Sequence, residues 1–101
     1  MGDKWSVESD IIGIAAIMKH PRKLRVMVTI VNNPGITAKE IMTKLSISTP
    51  QYLYADIMDL KKNNLISRDF SEEKGVFTFK ATVTGIKIDF KDLSIEGMND
   101  G

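Results

Sequence analysis

The chain has 101 residues, of which 43% are hydrophobic and 27% charged, a composition that indicates one globular domain over residues 1–101. It contains no cysteine, which excludes a disulfide framework, thiolate metal sites and cysteine nucleophiles. The net charge of +1 excludes a chain that is strongly basic or strongly acidic as a whole.

The charge is unevenly distributed along the chain. Residues 19–62 carry eight basic and three acidic side chains, a net charge of +5, whereas residues 1–18 and 63–101 each carry −2. A basic middle segment suits a surface that binds nucleic acid, and a solvated surface of mixed charge explains the same counts.

No targeting or membrane segment is predicted. Residues 1–10 are polar and partly acidic, unlike the basic and then apolar start of a signal peptide. The most apolar stretch, Ile11–Met18, is much shorter than the roughly 20 residues needed to span a bilayer. We therefore expect a cytoplasmic protein with no membrane contact.

Two helices are predicted before residue 33. The first covers about residues 6–19, and it is apolar on more than one side, so we expect a second subunit to cover part of it. The second runs from about Pro21 to Asn32, because proline disfavours helix at the residue before it and suits a first helical turn. Its expected buried stripe is Leu24, Met27, Val28 and Val31.

Two further helices joined by a short turn are predicted over residues 37–63. Thr37 and Glu40 have the spacing of a capping box, which begins the third helix. Ser48 or Thr49 is expected to cap the fourth helix, which ends at a pair of asparagines. The expected inner stripe of this helix is Leu53, Ile57 and Leu60.

A β-hairpin and one last helix complete the predicted order. A hairpin is predicted over residues 65–81, because Phe77, Phe79 and Ala81 alternate with polar residues after a polar loop that ends in glycine. Apolar residues at helical spacing predict a helix over about residues 83–93, although alternate residues from Ile86 to Phe90 also fit a strand. The expected fold class is therefore mainly α with a small β-hairpin, an α+β domain.

Five segments carry a family resemblance. They are His20–Arg25, Asn33–Ile41, Leu45–Ser48, Leu60–Ile66 and Thr82–Gly85. In this order and spacing they resemble the winged helix-turn-helix transcription regulators of bacteria and archaea, especially the ArsR-like group. The resemblance covers residues 20 to about 93. It implies a winged helix with additional N-terminal and C-terminal helices, which binds double-stranded DNA as a homodimer with the fourth helix in the major groove.

The resemblance and the docking geometry of this motif imply three sets of site residues. The expected DNA base contacts are Thr49, Gln51, Tyr52, Tyr54 and Ala55. The expected DNA phosphate contacts are Arg22, Lys23, Arg25, Thr37, Lys39, Lys44, Ser48 and Lys74. The expected dimer interface is Trp5, Ile11, Ile12, Ala15, Ile86, Phe90 and Leu93.

Two acidic residues on the fourth helix favour an alternative. Asp56 and Asp59 would repel phosphate if they faced it, and they motivate a winged helix module that binds another protein and not DNA. Asp56 is alternatively expected to pair with a basic residue on a neighbouring element. Ordinary solvated helix faces explain the exposed polar residues equally well.

No catalytic, metal or cofactor site is predicted, so the chain is not expected to be an enzyme. His20 is the only histidine, and without clustered carboxylates it is expected to be a polar residue at a helix junction. No nucleophile and base pair or phosphate-binding loop is apparent. No residue identifies a small-molecule effector.

Overall fold

The computed structural model describes residues 4–5, 7–91 and 94–98, and within these it has four α-helices and six β-strands. The helices are α1 (Val7–Met18), α2 (Pro21–Asn32), α3 (Ala38–Leu45) and α4 (Pro50–Lys62). The strands are β1 (Lys4–Trp5), β2 (Ile36–Thr37), β3 (Ile66–Ser71), β4 (Val76–Ala81), β5 (Gly85–Asp89) and β6 (Ser94–Met98). The protein is thus a small α+β domain.

Local signals begin α2 and α3 where the sequence predicts them. His20 is the N-cap of α2, where its Nδ1 accepts a hydrogen bond from the Lys23 backbone N–H at 3.4 Å, and Pro21 follows at the first helical position. The predicted capping box of α3 is present. Thr37 Oγ1 accepts a bond from the Glu40 N–H at 3.2 Å, and Glu40 Oε1 accepts one from the Thr37 N–H at 3.0 Å.

The turn between α3 and α4 begins at Ser46, whose left-handed φ of 54° ends α3. The predicted N-cap position of α4 is confirmed at Thr49, but the side-chain hydrogen bond that such a cap supplies is absent. The Thr49 carbonyl accepts the Tyr52 N–H at 3.1 Å. Pro50 at the first helical position sets the backbone angle that α4 needs, so the helix begins without that hydrogen bond.

The predicted hairpin is formed by β3 and β4, whose register pairs residues 66–71 with residues 76–81 in antiparallel order. Gly75, with φ of +70°, allows the tight turn, and its N–H donates to the Ser71 carbonyl at 2.7 Å. β2 pairs with the other edge of β4, which gives a three-stranded sheet of order β2-β4-β3.

The predicted last helix over residues 83–93 is wrong. β5 pairs antiparallel with β6, and β6 pairs on its other side with β1, so a second sheet has the order β1-β6-β5. Gly85 costs a helix about 1 kcal/mol, and the alternation that follows it fits a strand once β6 supplies a hydrogen-bonding edge. Residues 92 and 93 lie outside the described residues.

The hydrophobic core lies between the helices and the β2-β4-β3 sheet. Its most deeply buried side chains are Val26 and Ile30 of α2, Ile41 of α3, and Leu53 and Leu60 of α4. Burial of each such side chain contributes about 1.5–3 kcal/mol to folding. The predicted inner stripe of α4 is confirmed by this burial.

The buried stripe of α2 differs from the predicted one. Val26 and Ile30 are fully buried, whereas Leu24 and Val28, both expected to face the core, are exposed, Val28 to 56%. These two side chains line an apolar cleft of about 360 Å³ between α1, α2 and the segment that leads into β5. One apolar side of α2 therefore has no covering element among the described residues.

Candidate nucleic-acid interface

The exposed side of α4 carries most of the residues predicted to contact bases. Leu53, Ile57 and Leu60 turn inward and are buried. The residues on the opposite side of the helix, which we call the outer face, are Gln51, Ala55, Met58 and Lys62, and all four are exposed. The outer face thus offers an amide, a methyl group and a cation to solvent along three turns of one helix.

The two tyrosines predicted to contact bases are exposed on either side of the outer face. The Tyr52 ring lies on the side of α2, with the Arg22 guanidinium carbon 5.1 Å from its centroid, a cation–π contact. Tyr54 lies on the opposite side, towards the β3–β4 hairpin. Thr49 is half-buried at the start of the helix.

The carboxylate of Asp56 does not face solvent. It is fully buried and accepts two hydrogen bonds from Arg22, from Nε to Oδ2 at 2.5 Å and from Nη2 to Oδ1 at 3.0 Å. The expectation that Asp56 pairs with a basic neighbour is therefore confirmed. Because a buried carboxylate requires a partner, this forked pair ties α2 to α4.

The second acidic residue of α4 is also paired. Asp59 Oδ2 lies 2.5 Å from Nζ of Lys23, another α2 residue. Both acids of α4 are thus held by cations of α2, and neither presents an unpaired negative charge beside the outer face. The same contacts engage Arg22 and Lys23, two of the residues predicted to contact phosphate.

Two hydrogen-bonded groups near the interface have displaced pKa values. The bonds to Asp56 hold the pKa of the Arg22 guanidinium above its ordinary value. Bonds from the Thr37 backbone N–H and then from its hydroxyl hold the pKa of Glu40 below its ordinary value. The buried Thr37 hydroxyl is engaged in this cap and is not directed to an external phosphate.

The remaining predicted phosphate contacts lie on several elements. Arg25 on α2, Lys39 and Lys44 on α3, and Ser48 before α4 are exposed. Lys74 in the hairpin turn is exposed as well, and its Nζ lies 3.9 Å from Glu40 Oε1, a weak ion pair that brings the turn close to the start of α3. Lys39 and Lys74 line one concave surface, and Lys44 and Lys74 line another.

A groove of about 620 Å³ runs between α4 and the β3–β4 hairpin, and we call it the α4–hairpin groove. Its basic lining residues are Lys39, Lys61, Arg68 and Lys74, and its aromatic ones are Tyr54, Phe70, Phe77 and Phe79. Sequence reasoning missed Lys61, Arg68, Phe70 and Phe77 as candidates. For the three hairpin residues the strand alternation carried the signal, because residues two apart on paired strands share a face of the hairpin.

The residues predicted to form a dimer interface are distributed over the N-terminal and C-terminal elements. Trp5 lies in β1, and Ile11 and Ile12 lie in α1. Ala15 is exposed on α1, Ile86 of β5 lines the apolar cleft, and Phe90 is 84% exposed after β5. Leu93 lies outside the described residues.

Among the described residues, no group of three or more His, Cys, Asp or Glu side chains is placed to hold a metal ion. In the same part of the chain, none of the helices is both long enough and apolar enough to cross a bilayer. The chain shows no significant similarity to any protein family, characterised protein or solved structure with which it was compared.

Proposed function

We propose that the protein binds double-stranded DNA through the outer face of α4, as a winged helix transcription regulator of the ArsR-like type. In this proposal α3, the turn after it and α4 are the helix-turn-helix, α4 is the recognition helix, and the β3–β4 hairpin is the wing. Such a protein would act in the cytoplasm of a prokaryotic cell.

The observation that carries the proposal is the arrangement of charge around α4. Gln51 and Ala55 are exposed on the outer face, where an amide can pair with adenine and a methyl group can contact thymine. The buried Asp56 is neutralised by Arg22, so the main electrostatic objection to DNA at this helix is weakened. Lys62 on the same face supplies an exposed cation for phosphate.

A homodimer is part of the proposal, because two recognition helices about 34 Å apart read successive major grooves. The apolar cleft is the surface we assign to the second copy. Leu24 and Val28 of α2 and Ile86 of β5 meet there, and a small domain gains stability by covering such a surface.

Fluorescence anisotropy of labelled duplex DNA at two salt concentrations tests this function. We expect binding at low salt that weakens as salt rises, since phosphate contacts release counterions. Lys62→Ala should lower the affinity for every duplex, whereas Lys87→Ala, an exposed lysine of β5, is the matched control and should not. Gln51→Ala should reduce the preference for a selected site over random duplex. Absence of duplex binding at low salt would overturn the proposal.

A winged helix module that binds another protein is the second candidate. The exposed Tyr54, Met58 and Phe70 favour it, since contiguous apolar surface often marks a protein interface. Its original motivation is weaker, because Asp56 is buried and Asp59 is paired. A partner protein that binds the wild type and not Tyr54→Ala, together with no affinity for duplex DNA, would favour this candidate.

A further inference from the structure

The α4–hairpin groove contains exposed aromatic side chains that a DNA duplex on the outer face would not use. Phe70 is 56% exposed and Phe77 is 45% exposed, although both lie on the face of the hairpin that carries the buried Phe79. Only the part of that face that is far from the turn packs on the core. Towards the turn it extends beyond the core and becomes one wall of the groove.

The aromatic wall is preorganised for stacking. Phe70 and Phe77 form an edge-to-face pair, with centroids 5.3 Å apart and planes at 81°. The Arg68 guanidinium carbon lies 4.2 Å from the Phe77 centroid, so a planar cation extends the same surface. Tyr54 and Met58 of α4 form the opposite wall.

Positive charge accompanies these rings along the groove. Lys39, Lys61 and Arg68 line it, and none of them makes an ion pair with a carboxylate of the described residues. Lys74, at the turn, is partly compensated by Glu40 at 3.9 Å. The groove lining itself contains no acidic residue among those described.

This combination selects one class of occupant. Cations from α3, α4 and both ends of the hairpin suit a chain of phosphates better than a single anionic group. Exposed rings suit unpaired bases, because the bases of a duplex are already stacked on each other. Aromatic and guanidinium planes between cations are the means by which proteins hold single strands without reading sequence.

We propose that the α4–hairpin groove is a second nucleic-acid site, which binds single-stranded DNA or RNA with its bases stacked on Phe70 and the Arg68–Phe77 pair and its phosphates near Lys61 and Lys39. This site lies beside the outer face that is proposed to bind a duplex. The two sites meet on α4 at Met58, which belongs to the outer face and also lines the groove.

The test measures anisotropy of labelled oligothymidylate and oligouridylate of about 12 nucleotides, with a duplex as a third probe. Phe70→Ala should weaken single-strand binding by about fivefold or more, the loss expected for one stacked base. Met98→Ala, which removes an exposed apolar side chain outside the groove lining, is the matched control and should bind as the wild type does. Phe70→Tyr should retain affinity because it keeps the ring.

The cationic part of the site has its own measurement. Lys61→Ala should lower the slope of log affinity against log salt for single strands by about 0.7, and Lys87→Ala should leave it unchanged. Equal affinity for the thymidylate and uridylate probes would show that the groove recognises bases and phosphates without using the sugar hydroxyl.

Two results would overturn the single-strand proposal, and neither of them contradicts the proposed duplex function. One is duplex binding without any single-strand binding at low salt. The other is an equal loss of single-strand affinity in Phe70→Ala and Met98→Ala. Conversely, single-strand binding that depends on Phe70, without any duplex binding, would support this site and remove the proposed regulator function.

Discussion

Two concave surfaces of the protein, the apolar cleft and the α4–hairpin groove, have opposite chemistry. The cleft between α1, α2 and the start of β5 is lined mostly by apolar side chains and has no charged residue in its lining. The α4–hairpin groove is lined by four basic residues together with exposed rings. Both surfaces lie beside the same core, so burial alone does not account for the difference.

The comparison indicates what each surface can bind. The cleft offers no charge to orient a polar ligand, and Asn32 and Thr84 are its polar lining residues, so most of its affinity must come from apolar area and a matching shape. A groove with rings and cations derives affinity from stacking and from counterion release, and its binding must weaken in salt. Salt dependence therefore distinguishes the two surfaces experimentally.

The largest expected effect concerns the Arg22–Asp56 pair, which holds α2 against α4. The first of these helices lines the cleft and the second lines the groove. Arg22→Ala leaves the fully buried Asp56 carboxylate without its partner, and we expect the melting temperature to fall by more than about 10 °C. Calorimetry would measure this. Lys23→Ala is the matched control, with a fall of only a few degrees, because Asp59 is partly exposed.

A paired substitution refines that prediction. Arg22→Met combined with Asp56→Leu removes both charges and should recover most of the lost melting temperature, since an apolar pair needs no desolvation. If the double variant melts no higher than Arg22→Ala, the buried carboxylate is not the cause of the loss.

The next effect tests the groove. Lys61→Glu reverses one of its unpaired charges and should weaken nucleic-acid binding by about tenfold at low salt, while leaving self-association unchanged. Anisotropy and sedimentation velocity on the same sample would measure both properties. A change in self-association would show that the groove and the cleft are not independent.

The reciprocal substitution tests the cleft. Val28→Glu places a charge on the apolar surface of α2 and should shift a dimer towards monomer, with a dissociation constant raised about tenfold or more. Val76→Glu, at an exposed valine that lines the groove, is the control and should affect only nucleic-acid binding. If sedimentation velocity shows that the wild type is a monomer, the proposal that a second copy covers the cleft is wrong.

The smallest expected effect is on the pH dependence of stability, and it involves neither the cleft nor the groove directly. The pKa of Glu40 is lowered in the folded protein, so its contribution to stability is complete above its unfolded pKa of about 4.3 and is lost as pH falls through the lower folded value. Glu40→Gln should make the melting temperature less dependent on pH below about 5. Thermal melts at several pH values would show whether the two proteins converge in acid.

Local signals predicted the helices well, because their causes lie within a few residues. Thr37 and Glu40 make the capping box that their spacing predicts, and Pro21 opens α2. Contacts between residues far apart in the chain determined the secondary structure that local signals did not predict. The strand at residues 85–89 requires an edge supplied by β6, and helical spacing at the same positions predicted a helix instead.

The candidate site was predictable only in part for the same reason. The exposure of Gln51 follows from the inward stripe of its own helix. The pairing of Asp56 with Arg22 joins residues 34 apart in the chain. The sequence therefore predicted that Asp56 pairs with a basic residue but did not identify which one. The α4–hairpin groove depends on the register that sets Phe70 opposite Phe77 and on the placement of the hairpin beside α4.

The ladder between β1 and β6 places residues 4–5 beside residues 95–96. A short flexible linker between these strands would therefore join the two ends with little loss of chain entropy. New termini opened in the exposed hairpin turn around Glu73 would then give a circular permutant that retains every helix. In such a protein the turn would no longer connect β3 to β4, whereas the side chains of both strands would be unchanged. The difference between its nucleic-acid affinity and that of the wild type would measure what the connection itself contributes.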